Sequence, residues 1–501
     1  MNRSMIRYIL GYVIAIQSIL MLLPCLVAVI YREPEGVHFL IISLLSAVIS
    51  LSMIRKKPED SVFYLKEGCI ATSLSWIVMS LLGCLPFVLT GEIPSFTDAL
   101  FETVSGFTTT GASILSNVEG LSHASLFWRS FTHWIGGMGV LVFLLTIISL
   151  SGGSHINLMR AESPGPSVGK LVPRVKHNAR LLYIIYLVMT LVEIILLLVG
   201  KMPLFDAVAT SFGTAGTGGF GIRNDSMMSY SPYLQWVVTI FMILFGVNFN
   251  AFYLITFRKF KKAFEMEEVH WYFIIILVAT GIIFSQILKT SAGAFDALTQ
   301  ASFQVASIIT TTGFSTADFN LWPQTSKTVL VLLMFIGACA GSTGGGIKVS
   351  RFVVMVKTID KELNSYIHPR SVRKIKLDGK PIEHEVLRSI NVYFMTYILL
   401  YAVSVFLISL ENKDMVTNFT AVAATFNNIG PGLELVGPTQ NFGSFSLLSK
   451  YVLIFDMLAG RLELFPLLIL FHPGVWKDAV SQKVSESNPQ IYRDLGSSWH
   501  D

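Results

Sequence analysis

The chain has 501 residues, of which 52% are hydrophobic and only 14% charged, with mean hydropathy +0.62 and a net charge of +5. A soluble domain carries roughly 25% charged residues, so a water-soluble enzyme or binding module is excluded. The apolar runs outlast soluble core helices and lack the two-residue alternation of barrel strands, which leaves an all-α polytopic membrane protein.

Crossing about 30 Å of hydrocarbon takes roughly 20 apolar residues. Ten runs qualify, near 6–30, 37–54, 67–90, 124–150, 181–200, 231–257, 271–288, 326–357, 389–410 and 447–471. The first follows Arg3 and Arg7 but has no small-residue cleavage site after it, so it reads as a retained helix. Residues 1–60 hold two leading helices. Four repeats follow at 61–150, 180–262, 268–357 and 388–471, with cytoplasmic loops at 151–179 and 358–387 and a tail at 472–501. Each repeat reads as span, re-entrant segment, span. All four have the same topology, so they are predicted to close as parallel helix–pore-loop–helix units around a pseudo-fourfold pore.

The re-entrant segments of the first three repeats begin alike, around Asp98, Asp206 and Asp296, which are expected to cap helix N-termini. Each of the four segments ends in a turn of small polar residues and glycine: Thr108 to Ser113, Thr217 to Gly221, Thr310 to Thr316 and Asn427 to Gly432. The pairs Thr110–Gly111, Gly218–Gly219, Thr312–Gly313 and Ile429–Gly430 sit at matched positions. Glycine accepts the backbone needed to turn a carbonyl toward an axis, and rings of carbonyls replace a cation's hydration shell. These eight residues are the candidate cation-binding filter. In the third repeat the spacing from Asp to Gly is longer by about one helical turn.

Between these turns lie residues that membrane burial makes conspicuous. Glu102 is expected to bond backbone supporting the filter. Arg129 is expected to snorkel outward. His133 reads as a packing residue, and Gly136, Gly137 and Gly139 as a close helix contact. Asp225, Asp318 and Glu434 follow their turns and would concentrate cations at the mouth. The run 326–357 is too long for one span and holds Gly337, Gly341, Gly344, Gly345 and Gly346. Interior glycines cost roughly 1 kcal/mol each, so a break over 337–347 is predicted. The candidate gate is therefore Gly341, Ser342, Thr343, Gly344, Gly345, Gly346 and Lys348. It includes Arg461, an arginine near the middle of the last apolar run that would raise a barrier to cations.

Threading ten spans from a cytoplasmic N-terminus puts 28 of the 37 Lys and Arg residues inside and returns the C-terminus to the cytoplasm. Each basic run abuts a span, so it is a topology signal and not a nucleic-acid site. The four cysteines form no CxxC or Cys/His pattern. Gly216 to Gly221 fits GxGxxG without a preceding strand, and Gly341 to Lys348 fails the phosphate-loop pattern, so no nucleotide is expected to bind this chain.

Taken together, the four turns, the segment 341–348, His133 through Gly139, Arg160 through Pro166 and Gly460 through Pro466 resemble the bacterial Trk/Ktr/HKT superfamily of potassium translocation proteins. The two leading helices are similar to its TrkH/TrkG type. The resemblance implies gated potassium uptake across the bacterial inner membrane, K⁺ as the transported ion at the filter, a homodimer set in membrane lipid, and a cytosolic TrkA-like nucleotide-binding ring. It also implies the gate role of 341–346 and Arg461. The alternative is a secondary transporter coupling K⁺ to H⁺ or Na⁺ through His133, Asp456 or Glu463. A receptor or scaffold would leave the four turns without a purpose.

Overall fold

The computed structural model describes residues 2–58, 64–137, 139, 175–370 and 373–475. The expectations for 160–166, for most of the loop 151–179, for the far half of the 124–150 run and for the tail beyond 475 lie outside these residues. The regular elements of the described chain are helices apart from one small antiparallel hairpin, β1 (Lys376–Leu377) with β2 (Lys380–Pro381).

Two helices, α1 (Arg3–Leu20) and α2 (Leu22–Tyr31), form one apolar stretch, and α3 (Gly36–Ile54) returns beside it. Small residues let the two backbones approach. Ser18 and Ser43 each donate to the other's carbonyl at 2.7 Å, and Ser50 donates to Gly11 O at 2.9 Å. Gln17 reaches across to Met79 O at 2.8 Å and ties this hairpin to α4 (Leu65–Thr90).

The rest follows a recurring order of long helix, short helix, turn, helix. After α4 come α5 (Phe96–Phe107) and α6 (His123–Gly137). Next are α7 (Val175–Val199), α8 (Leu204–Ala215), α9 (Pro232–Gly246), α10 (Phe249–Thr256) and the single turn α11 (Phe260–Phe264). Then α12 (Glu267–Ile287), α13 (Ala294–Ile309), α14 (Gln324–Met334) and α15 (Val349–Ile367) precede the β-hairpin. Finally come α16 (His384–Ser409), α17 (Met415–Phe426), α18 (Leu447–Arg461) and α19 (Phe465–Leu468). The short helices α5, α8 and α17 have 12 residues and α13 has 16, so the longer Asp-to-Gly spacing is one added helical turn.

Polarity is arranged inside out. Thr108, Thr109, Thr110, Thr217, Thr311, Asn427 and Asn428 are fully buried, whereas Leu277, Ile398 and Met395 point outward and exposed. An apolar rim around a polar centre suits lipid outside and an ion within.

Six described helices are long and apolar enough to cross a membrane by length and composition, or seven if the pair α9–α10 counts as one. Finer expectations are corrected. The run 231–257 is not one helix: it bends by 91° between α9 and α10, where Val247 takes extended backbone and Asn248 caps the next helix. The run 447–471 also stops, because Glu463 and Leu464 adopt positive φ of 54° and 70°. Arg461 is thus the last residue of α18, not the middle of a span. The three aspartates are not caps. Ser95, Pro203 and Gly293 hold those positions, and Asp98, Asp206 and Asp296 sit three residues in, within the first turn. There they still complement the helix dipole, and their carboxylates accept from Lys450, from Tyr230, and from Ala292 N and Gln300 respectively.

Candidate functional site

Each short helix ends in the same way. The second residue past it takes a left-handed conformation: Thr109, Thr217, Thr311 and Asn428, with φ from 53° to 58°. The amide of that residue donates back three residues, and the next amide donates back five. Thr110 N reaches Ser105 O at 2.9 Å, and Gly218 N, Thr312 N and Ile429 N reach Gly213 O, Ser307 O and Ala424 O at 2.8 Å. This is the Schellman arrangement, which satisfies the helix's last carbonyls. Glycine normally holds its left-handed position, and β-branched threonine there costs of order 1–2 kcal/mol. Strain of this kind persists only where the surroundings over-determine it, and it concentrates at functional sites.

Two residues after each left-handed residue the backbone turns again, at Gly111, Gly219, Gly313 and Gly430, with φ of 77°, 72°, 88° and 101°. The four turns touch in a closed cycle. A Cβ built on Gly111 would meet the Gly218 oxygen, on Gly219 the Thr312 oxygen, on Gly313 the Ile429 oxygen, and on Gly430 the Thr110 oxygen. Each turn therefore leans its carbonyl on the preceding turn's glycine, and the fourth glycine receives the first turn's carbonyl. The amides of these residues are spent on their own helices. Their carbonyls, Thr110, Gly218, Thr312 and Ile429, are buried and accept no hydrogen bond among the described residues. Buried carbonyls are rarely left without a partner. Four of them in one ring are suited to a dehydrated cation.

On one side of this ring lies the segment between α14 and α15. Gly337, Gly341 and Gly346 take positive φ of 71°, 70° and 66°, so helix cannot continue. Gly345 N donates to Thr311 Oγ1 at 2.7 Å, and a Cβ on Gly345 or Gly346 would meet Asn428 or Asn427. The loop thus lies directly against two of the four turns. The α9–α10 break clasps it: Cys339 N donates to Gly246 O at 3.1 Å and Phe249 N to Gly341 O at 3.0 Å. Lys348 folds its ammonium back onto Gly344 O and, at 3.2 Å, Gly345 O.

Arg461 comes to the same loop from α18. Its guanidinium donates to Thr343 O at 2.9 Å and, from the other arm, to Gly136 O and Gly137 O of α6. It therefore ties the loop to α6 through carbonyls. The neighbouring Glu463 pairs with Arg351, which also stacks over Tyr393 at 4.1 Å.

Arg129 does not snorkel; it is 2% exposed and pairs with Glu102 at 2.7 Å. Glu102 accepts from Ser113 Oγ at 2.9 Å and Ile114 N at 3.0 Å, while Arg129 donates to Gly221 O at 3.2 Å and covers the Phe220 ring. The pair joins the segments that follow the first two turns. Removing one member of such a pair strands the other charge, at a cost of about 3–5 kcal/mol. Arg129→Gln should therefore lower the melting temperature of the purified protein in detergent, and the double change Glu102→Gln with Arg129→Met should recover part of that loss.

His133 stacks on Phe220 at 4.2 Å, and Gly136 and Gly137 admit Phe107 O and Gly216 without room for a Cβ. The Asp318 carboxylate accepts from Asn320 N at 3.1 Å, and Asn320 Oδ1 accepts from the Glu434 backbone amide at 3.0 Å, which joins the segments after the third and fourth turns. Burial and the Asp206 carboxylate push the Tyr230 phenol above its ordinary value there.

Glu268 and the Arg351–Glu463 pair went unread in the sequence. Two acids opening a helix look like ordinary dipole complements, and partners separated by 112 residues leave no local pattern.

The model of the TrkH family, described as cation transport protein, matches residues 36–481. Over 488 residues the chain is 36% identical to the Trk system potassium uptake protein TrkH of Salmonella typhimurium, covering 95% of this chain and all of that one. It is 31% identical over 487 residues to the Trk system potassium uptake protein TrkG of Escherichia coli, with the same coverage. The crystal structure of the potassium transporter TrkH from Vibrio parahaemolyticus superposes with a TM-score of 0.85 at 33% identity, across 95% of this chain and 100% of that one.

Proposed function

The chain belongs to the TrkH family of cation transport proteins, and on that footing we propose that it is a gated pathway for potassium uptake across the bacterial inner membrane. Its relatives are transporters and not enzymes. The observation that carries the proposal is the closed cycle of four carbonyls, at the buried residues Thr110, Gly218, Thr312 and Ile429, that accept no hydrogen bond among the described residues. In this reading the four helix–turn–helix units are parallel repeats around a pseudo-fourfold pore. The eight residues from Thr110–Gly111 to Ile429–Gly430 are its filter, and K⁺ is its cargo. The loop from Gly341 through Gly346, with Lys348 and Arg461, blocks the path on the cytoplasmic side.

Entry is passive. Each 100 mV is worth about 2.3 kcal/mol per charge, enough for roughly 50-fold accumulation. Control falls to a separate cytosolic nucleotide-binding ring, with the chain acting as a homodimer. The residues a coupled carrier would use are scattered among separate contacts. Glu463 is held by Arg351, Asp456 accepts from Ser404 at 2.7 Å, and His133 packs on Phe220.

The test is a planar bilayer clamped at zero potential with equal K⁺ on both sides. A proton or sodium gradient should then move no net K⁺. Uphill K⁺ accumulation under either gradient would replace this reading with the coupled carrier.

A further inference from the structure

One carboxylate, unassigned above, touches both the irregular loop and the α9–α10 break. Glu268 is the second residue of α12 and is 6% exposed. Its Oε1 accepts from Ala340 N at 2.6 Å and from Ser350 N at 3.0 Å, and its Oε2 accepts from Asn248 Nδ2 at 3.4 Å. Ala340 lies within the irregular loop, Ser350 is the second residue of the helix that resumes after it, and Asn248 caps the helix beyond the 91° bend. Amide-to-carboxylate bonds are about twice as strong as neutral ones. The loop has few other fixed points of that strength, because its glycines contribute no side chains.

We propose that Glu268 is a latch: a positioning residue that holds loop 335–348 against the filter by gripping the loop and the start of the helix that follows. The proposal rests on the loop being the gate. Glu268 is itself anchored from the cytoplasmic side. The amide of its neighbour Glu267 donates to Asp378 Oδ1 in the β-hairpin at 2.8 Å, and the Glu267 carboxylate pairs with Lys357 of α15. Lys357 also donates to Lys376 O at 2.8 Å. A pull on the exposed hairpin is therefore passed to α12 one residue away from the latch.

The experiment is K⁺ flux from purified protein in liposomes without any partner, comparing Glu268→Ala, Glu268→Gln and Arg461→Ala with the unaltered chain. Losing a hydrogen bond to a charged group corresponds to roughly tenfold or more in an equilibrium. Glu268→Ala should raise basal flux by about that factor. Glu268→Gln keeps an oxygen that can accept from both amides but loses the charge, and should raise flux by clearly less than Glu268→Ala. A merely structural role would not be rescued in this way. Basal flux unchanged by Glu268→Ala while Arg461→Ala raises it would overturn the latch and leave the gate standing. If neither raises it, the gate reading falls and the latch with it. Should Glu268→Ala fail to fold, Glu268→Asp is too short to reach both amides and is read the same way.

Discussion

If the four carbonyls form the proposed filter, Gly313→Ser should alter the K⁺/Na⁺ preference and cut K⁺ flux by at least tenfold. A side chain at this position has nowhere to go. Its Cβ would land on the Ile429 carbonyl oxygen and 3.1 Å from Pro431 Cδ. The backbone sits at φ 88°, where an L side chain is strained. Serine therefore either swings the turn away from its neighbour or pushes the Ile429 carbonyl off the ring. Both break the cycle, and a ring with one misplaced oxygen fits the smaller, more strongly hydrated ion no worse than the larger one. Flux of each ion from liposomes, with circular dichroism to confirm folding, checks this. Unchanged preference with unchanged flux would remove Gly313 from the filter.

Arg461→Ala should act in the opposite direction and raise basal K⁺ flux, again by roughly tenfold. Its guanidinium spans Thr343 of the loop and Gly136 and Gly137 of α6 with two arms. Alanine removes both the tie and a positive charge beside the proposed path. Arg461→Lys separates the two effects. Lysine keeps the charge but has no rigid fork to grip carbonyls on two elements. An intermediate flux would assign the closed state to both charge and tether. Flux as low as in the unaltered chain would assign it to charge alone. A wild-type rate in Arg461→Ala itself would end the barrier role.

The helical membrane class and the family were legible because they are written in repetition. A long apolar run is recognisable on its own, and four turns at matched positions are visible without knowing how the chain folds. The two further breaks were not legible, for a physical reason. Across Phe245-Gly246-Val247-Asn248-Phe249 the apolar run continues almost without interruption. What stops the helix is tertiary, since Gly246 O and Phe249 N are taken by the loop from nearly a hundred residues away. The fate of Arg129 followed the same logic. A lone arginine in a span reads as a snorkelling one, and only the fold shows Glu102 facing it. The aspartates were misplaced by three residues because the cap and the first turn both favour acids, so the residue type does not mark which position it occupies.

The bond from Gly345 N to Thr311 Oγ1 has a last consequence. In the proposed pathway Thr311 immediately precedes Thr312 of the carbonyl ring, and Gly345 belongs to the proposed gate. When the segment withdraws, that hydroxyl loses its donor and is free to rotate toward the permeant ion. Discrimination and conduction are then not independent settings. Selectivity becomes a property of the conducting state, and permeability ratios recorded from leak through the shut protein would describe a different sieve.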